Sequence, residues 1–249
     1  ARVHARYVEA GVDALTANTF RTQARTLAGA GRDPGADAAW TAQAVGLARR
    51  AADEAPSGRR VFVLGSAPPL EDCYAPARVP PDDALAREHA RHAANLVAAG
   101  VDAILVETMN CVREAVAALR AAREAGVEAW VSFVCWEGDR LLSGEPLAEA
   151  LDAVAPLAPL LVGVNCLPPR AVPGCLPALR AAGRPFGVYA NLGAPLDDGG
   201  FRCADDAPPG PFAEAAASWA DAGARAVGGC CGTTAAHLRA VVERLRPGP

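Results

Sequence analysis

Apolar residues fall along this chain in two textures. There are short unbroken runs rich in valine, isoleucine and leucine, and longer alanine-rich stretches with polar residues at helical spacing. The second texture belongs to amphipathic helices, the first to strands buried on both faces. They are joined in a repeated way. Ala10-Gly11-Val12-Asp13-Ala14 precedes Leu15-Thr16-Ala17-Asn18, and Ala99-Gly100-Val101-Asp102-Ala103 precedes Ile104-Leu105-Val106-Glu107. Ala125-Gly126-Val127-Glu128-Ala129 precedes Trp130-Val131-Ser132-Phe133, and Ala222-Gly223-Ala224-Arg225-Ala226 precedes Val227-Gly228-Gly229. In each copy a helix reaches a glycine suited to the left-handed position that ends it, and a strand follows at once.

Runs at 60–66, 160–166 and 186–191 add three strand candidates to those four. Helical patterns lie at 82–99, 111–125, 146–155, 172–182, 212–222 and 234–245. This alternation is the mark of βα units around a parallel sheet. It predicts one α/β domain over residues 1–249, a (β/α)8 TIM barrel. A doubly wound sheet is the runner-up, but no strand is followed by the G-x-G-x-x-G turn of its nucleotide-binding forms. The chain opens on Ala1 inside a helical pattern (Val3, Tyr7, Val8, Ala10). The expectation is therefore a barrel lacking its first strand, with two strand edges unpaired. Pro-rich or Gly-rich loops at 67–81 and 192–211 follow strand ends, on the face where barrel sites are built.

Polar residues gather at those strand ends: Asn18, Ser66, Glu107, Cys166, Asn191 and the pair Cys230-Cys231. In a barrel they converge on one mouth. The cysteine pair lies within Gly228-Gly229-Cys230-Cys231-Gly232-Thr233-Thr234. Neighbouring residues on a regular strand face opposite ways, so two adjacent thiols serve one centre only if the flanking glycines turn the backbone. Cys166, Cys230 and Cys231 together suit a zinc thiolate site, in which three protein ligands leave a fourth position for water or substrate. A vicinal disulfide, a redox pair of free thiols, and a glycine turn that binds phosphate remain open as rivals. Cys135 ends a strand and is expected to pack. Cys111 opens a helix, and Cys73, Cys175 and Cys203 are read as loop residues. His4, His89, His92 and His237 all fall on helical patterns and are read as solvated or half-buried.

Composition narrows the chemistry. A net charge of −4 gives no reason to expect nucleic acid or an anionic membrane as partner. No apolar run suits a bilayer span and no signal peptide is visible, so a soluble, cytoplasmic protein is expected. All 24 basic residues are arginine. Without lysine there is no Schiff-base or pyridoxal-phosphate chemistry and no Walker P-loop. In that compartment the 8 cysteines are expected to be free, metal-bound or catalytic rather than a disulfide framework.

Val164-Asn165-Cys166 taken with Gly228-Gly229-Cys230-Cys231-Gly232-Thr233 resembles the zinc signature of the homocysteine S-methyltransferase family. Residues 14–20 (A-L-T-A-N-T-F), 106–109 (V-E-T-M) and Tyr189-Ala190-Asn191 extend the likeness over essentially the whole chain. Pro68-Pro69-Leu70-Glu71-Asp72-Cys73-Tyr74 resembles the branch that uses sulfonium donors such as S-methylmethionine. The resemblance implies a (β/α)8 barrel with Zn2+ on Cys166, Cys230 and Cys231. It implies Glu107 as a holder of the homocysteine amino group, with Asn18 and Asn191 as further substrate contacts. The family's first strand, with its Asp-Gly-Gly segment, has no counterpart here. The implied activity is zinc-dependent methyl transfer from S-methylmethionine or S-adenosylmethionine to homocysteine, giving methionine. The alternatives are the same barrel with betaine as donor, or a non-catalytic or redox zinc barrel.

Overall fold

The computed structural model describes residues 2–56, 58–195, 201–202 and 207–246. Its frame is a parallel sheet of β1 (Ala14–Ala17), β2 (Phe62–Ala67), β3 (Ala103–Met109), β4 (Ala129–Phe133), β5 (Leu161–Asn165), β6 (Phe186–Ala190) and β9 (Ala226–Gly229). Each strand pairs with the next in chain order, so the sheet is 7-stranded, β1-β2-β3-β4-β5-β6-β9. A doubly wound sheet would reverse its order at a switch point; this one never does. A short antiparallel ribbon, β7 (Ala194–Pro195) with β8 (Phe201–Arg202), lies within the 192–211 loop. Cys203 lies outside the described residues.

The helices are α1 (Arg2–Glu9), α2 (Ala24–Gly29), α3 (Asp37–Asp53), α4 (Asp82–Ala98), α5 (Val112–Glu124), α6 (Leu147–Val154), α7 (Val172–Ala181), α8 (Pro209–Asp221) and α9 (Ala235–Leu245). The sheet curls so that its edges approach one another. Helix α1, which runs into β1, packs on α9, which follows β9. The Tyr7 hydroxyl donates to the Thr233 carbonyl (3.3 Å), and Arg246 pairs with Asp13. Among the described residues β1 and β9 are not paired with each other. The sheet is that of a TIM-like barrel, seen here with seven strands.

The glycine punctuation works as the sequence predicts. Gly11, Gly100, Gly126 and Gly223 all have φ between +78 and +106, the left-handed conformation that ends a helix without a Cβ penalty. Strands β3 and β5 are buried along their whole length, as a sheet clad by helices requires. Helices α2 and α3 are not announced by the hydrophobic pattern. The core-facing positions of α3 are mostly small, with Ala48, Ala51 and Ala52 beside Thr41 and Val45. Helix α8 starts three residues before the expected 212, because Pro209 and Pro211 fall in its first turn, where no intrahelical N–H bond is lost.

Two expectations are corrected. His89 and His92 are not solvated: both are 2% exposed. They face inward from α4. His89 Nε2 lies 3.2 Å from Glu114 of α5, and His92 Nε2 lies 3.0 Å from the Ser66 carbonyl of β2. His237 is likewise buried, its ring closing a capping box with Thr234 at the start of α9. Cys175 lies inside α7 rather than in a loop, fully buried, with its thiol 3.1 Å from the Gly138 carbonyl. Cys135 is packed as expected.

Candidate metal centre

Strand β5 delivers Cys166 one residue past its end. There the chain turns left-handed, with φ +55 at Cys166, a conformation that costs a non-glycine residue about 1–3 kcal/mol and needs support. The support is local. Cys166 N–H donates to Tyr189 O of β6 (3.2 Å), and its carbonyl accepts from Trp136 Nε1 (3.1 Å).

Strand β9 delivers the other two cysteines. Cys230 N–H still holds the ladder through Ala190 O (2.7 Å), and Leu192 N–H donates to Cys231 O (2.7 Å). Between them the chain leaves the strand, which lets both thiols face one centre. Gly232 has φ +80, and a Cβ there would strike the Leu192 carbonyl. A Cβ on Gly229 would run into the Thr233 side chain, whose hydroxyl donates to Cys230 O (2.7 Å).

The three sulfur atoms all lie within 4.8 Å of one another. Cys166 Sγ and Cys231 Sγ are 3.7 Å apart. Zinc–sulfur bonds of about 2.3 Å in a tetrahedron set sulfurs about 3.8 Å apart, so the donor set fits zinc with little adjustment. The thiols hold their protons unequally. Hydrogen bonds from Cys166 and Cys230 pull Cys231 down to about 3. Cys230 is held well above the usual thiol range by its bonds to Cys166 and Cys231 and by burial. For Cys166 the bond with Cys230 acts downward, but the bond to Cys231 and burial outweigh it. Three sulfur donors placed this close together suit a soft divalent cation.

Asn165, immediately before the first ligand, is fully buried and stitches three strands together. Its Oδ1 accepts from Thr108 N–H of β3 (2.9 Å) and from Ser132 Oγ of β4, and its Nδ2 donates to Thr108 Oγ1 (2.8 Å) and lies 3.9 Å from Cys230 Sγ. Thr108 itself is left-handed, φ +59, at a bulge where Val106 to Met109 spans what Val131 to Phe133 spans on β4. The bulge belongs to the same turn of chain as Glu107. That carboxyl is buried and accepts from Ser66 Oγ (2.5 Å). Burial raises it to about 7, with the hydrogen bond from Ser66 acting downward and the charge of Cys231 adding to the rise. Tyr189 Oη, raised by burial and by facing Glu107, has no hydrogen-bond partner among the described residues.

Of the other expected residues, Asn191 is 1% exposed, and its Oδ1 has no partner among the described residues. Asn18 stands exposed one residue past β1. Ser132, Thr108 and the ring of Tyr74, whose Oη lies 2.9 Å from Cys166 Sγ, are neighbours that no spacing rule points to. Ser132 reaches the site from β4, Thr108 through the bulge in β3, and Tyr74 from the long 67–81 loop.

The family model described as homocysteine S-methyltransferase matches residues 1–245. Among solved structures, the metallated form of the homocysteine methyltransferase MmuM from Escherichia coli superposes with a TM-score of 0.84 at 26% identity, covering 98% of this chain and 83% of that one. Homocysteine S-methyltransferase YbgG of Bacillus subtilis is 30% identical over 175 residues, 66% of this chain and 53% of its own length. Methionine synthase of Mycobacterium tuberculosis is 34% identical over 260 residues, 98% of this chain and 21% of its own length. The alignment thus spans about half the length of the first of these curated relatives, and less of the second.

Proposed function

From the membership of this chain in the homocysteine S-methyltransferase family, we propose that it transfers a methyl group from a sulfonium donor, S-methylmethionine or S-adenosylmethionine, to the thiol of homocysteine, giving methionine. The observation that carries this reading is the meeting of Cys166, Cys230 and Cys231 at the C-terminal ends of β5 and β9. Those three residues would hold zinc at the mouth of a (β/α)8-type barrel. Bound there, the metal supplies a fourth position at which an acceptor thiol ionises near neutral pH.

The chain's own residues then have to orient the acceptor. Glu107 is buried beside the cluster and takes the role of anchor for the homocysteine ammonium. The Oδ1 of Asn191, without a partner among the described residues, offers a second acceptor for its N–H groups, and Asn18 offers a polar contact from the end of β1. Transfer is then a single displacement. The acceptor sulfur's electron pair forms the new bond to the methyl carbon. The methyl–sulfonium bond breaks, and its pair stays on the departing sulfur as a neutral thioether. No proton moves in that step, so no strong general acid is needed. Alignment of the two sulfurs through the methyl carbon is the main demand.

The test is metal content and methionine formation in Cys230→Ser and Cys231→Ser beside the wild-type protein. Both substitutions are expected to abolish zinc binding and turnover together. Methionine formation that survived removal of the metal would refute the mechanism. Turnover with betaine and with neither sulfonium would refute the donor assignment.

A further inference from the structure

A sulfonium centre carries a full positive charge and no N–H or O–H group. Hydrogen-bond acceptors therefore cannot select it by donor geometry; negative charge and the electron-rich faces of aromatic rings can. Two half-buried rings flank the cysteine cluster. Tyr74 touches Cys166 Sγ through its hydroxyl at 2.9 Å, and Trp136 donates its indole N–H to the Cys166 carbonyl at 3.1 Å. The rings lie against each other, tilted by 39°, with centroids 5.0 Å apart. The chain has only 4 tryptophans and 3 tyrosines, so one of each beside the same cysteine is a concentrated use of both.

The rings are held from behind. On the Tyr74 side, Leu70 N–H donates to the fully buried Glu114 (2.7 Å), itself backed by His89. Gln23 donates to the Pro68 carbonyl (3.1 Å), Asn110 to the Cys73 carbonyl (3.1 Å), and Tyr74 N–H to Asp72 Oδ1 (2.9 Å). On the Trp136 side, Cys175 Sγ donates to Gly138 O (3.1 Å), and Leu147 N–H donates to Asp139 O (2.7 Å). A loop tied at this many points is rigid enough to present a ring in one place.

We propose that the adjoining rings of Tyr74 and Trp136 form the binding face for the cationic sulfonium centre of the methyl donor. The assignment rests on the methyl-transfer reading above and says which residues recognise the donor. It also fits the charge balance of the reaction. The thiolate's pair makes the new sulfur–carbon bond, the old carbon–sulfonium bond breaks toward the donor sulfur, and a cation and an anion become two neutral thioethers. The attraction of the rings is present for the substrate and gone for the product. The rings therefore act on donor binding more than on the chemical step.

The experiment uses the zinc-loaded full chain. Binding of S-methylmethionine is measured by calorimetry without homocysteine, and KM is measured for both substrates, in wild type and in Trp136→Leu, Trp136→Phe, Tyr74→Leu and Tyr74→Phe. The leucine variants are expected to weaken S-methylmethionine about 5- to 30-fold, with zinc content and homocysteine KM unchanged. The phenylalanine variants are expected to stay within about threefold of wild type, because a ring remains. Should Trp136→Leu fail to fold, biosynthetic incorporation of mono-, di- and trifluorinated tryptophan weakens the ring face at nearly constant shape, and donor affinity is expected to fall with each fluorine. Unchanged donor affinity in the leucine variants, a flat fluorination series, or a rise in homocysteine KM equal to that for the donor would each overturn the assignment. A wild-type protein that makes no methionine would defeat the methyl-transfer reading instead, and the calorimetric series would still decide the role of the rings.

Discussion

Replacing Asn165 by alanine removes a side chain that ties β3, β4 and β5 together beneath the cysteines. The change strands the buried N–H of Thr108 and the hydroxyls of Thr108 and Ser132. A buried polar group without a partner costs about 1–3 kcal/mol. The two hydroxyls can rotate toward other acceptors, whereas the N–H cannot. Thr108 is also held left-handed, which stores about 1–3 kcal/mol, and part of that is recovered when the residue relaxes. The balance is an expected loss of about 3 kcal/mol in stability. Relaxation at Thr108 moves the bulge carrying Glu107 and removes the amide beside Cys230, so zinc affinity should fall about 10- to 100-fold. Urea unfolding of metal-free protein reads the first quantity, and competition with a chromophoric chelator reads the second. Asn165→Asp retains the oxygen that Thr108 and Ser132 donate to, and should keep more of the stability than alanine does. A loss below about 1 kcal/mol together with wild-type zinc affinity would refute the reasoning.

Two further predictions concern buried titratable groups. His92 is pushed down to about 4 by burial, with the hydrogen bond to Ser66 and the charge of Asp37 acting upward and that of His89 downward. Between its unfolded value of about 6.5 and about 4 the unfolded chain binds a proton that the fold does not, so stability is fully present above this window and falls as pH drops through it, by up to about 3 kcal/mol. His92→Gln keeps a donor for the Ser66 carbonyl and should flatten that slope in urea midpoints of metal-free protein; parallel curves for the two proteins would contradict it. Glu107→Gln keeps a partner for Ser66 but removes the charge proposed to meet the homocysteine ammonium. Homocysteine KM should rise about 10- to 100-fold, the value of a hydrogen bond to a charged group, with donor KM little changed; steady-state kinetics with each substrate varied in turn is the measurement.

No helix among the described residues is long and apolar enough to cross a membrane, in keeping with the hydropathy of the chain. The parts of the structure legible beforehand are those governed by neighbours in sequence. Gly11, Gly100, Gly126 and Gly223 end helices because only glycine enters the left-handed region freely, and that preference acts on one residue at a time. The Gly-Cys-Cys-Gly turn could be read as a break in a strand for the same reason. The alternation of apolar runs with alanine-rich helices announced a parallel sheet because burial on both faces leaves no polar period. Helix α3 was hidden because its core face is mostly alanine, which carries little apolar contrast.

The site's working geometry depends on pairings between residues far apart in the chain. Cys166 meets Cys231 at 3.7 Å only because β5, β6 and β9 stand side by side with their ends level. Left-handed conformations at Thr108 and Cys166 run against local preference and persist because Asn165, Tyr189 and Trp136 hold them by hydrogen bonds. The inward turn of His89 and His92, the tether from Glu114 to the loop bearing Tyr74, and the contact of Tyr74 with Trp136 are decided by which helix or loop lies opposite. Local propensity reaches a few residues along the backbone. Register and sheet curvature bring distant side chains within bonding distance, and only the assembled sheet sets those two quantities.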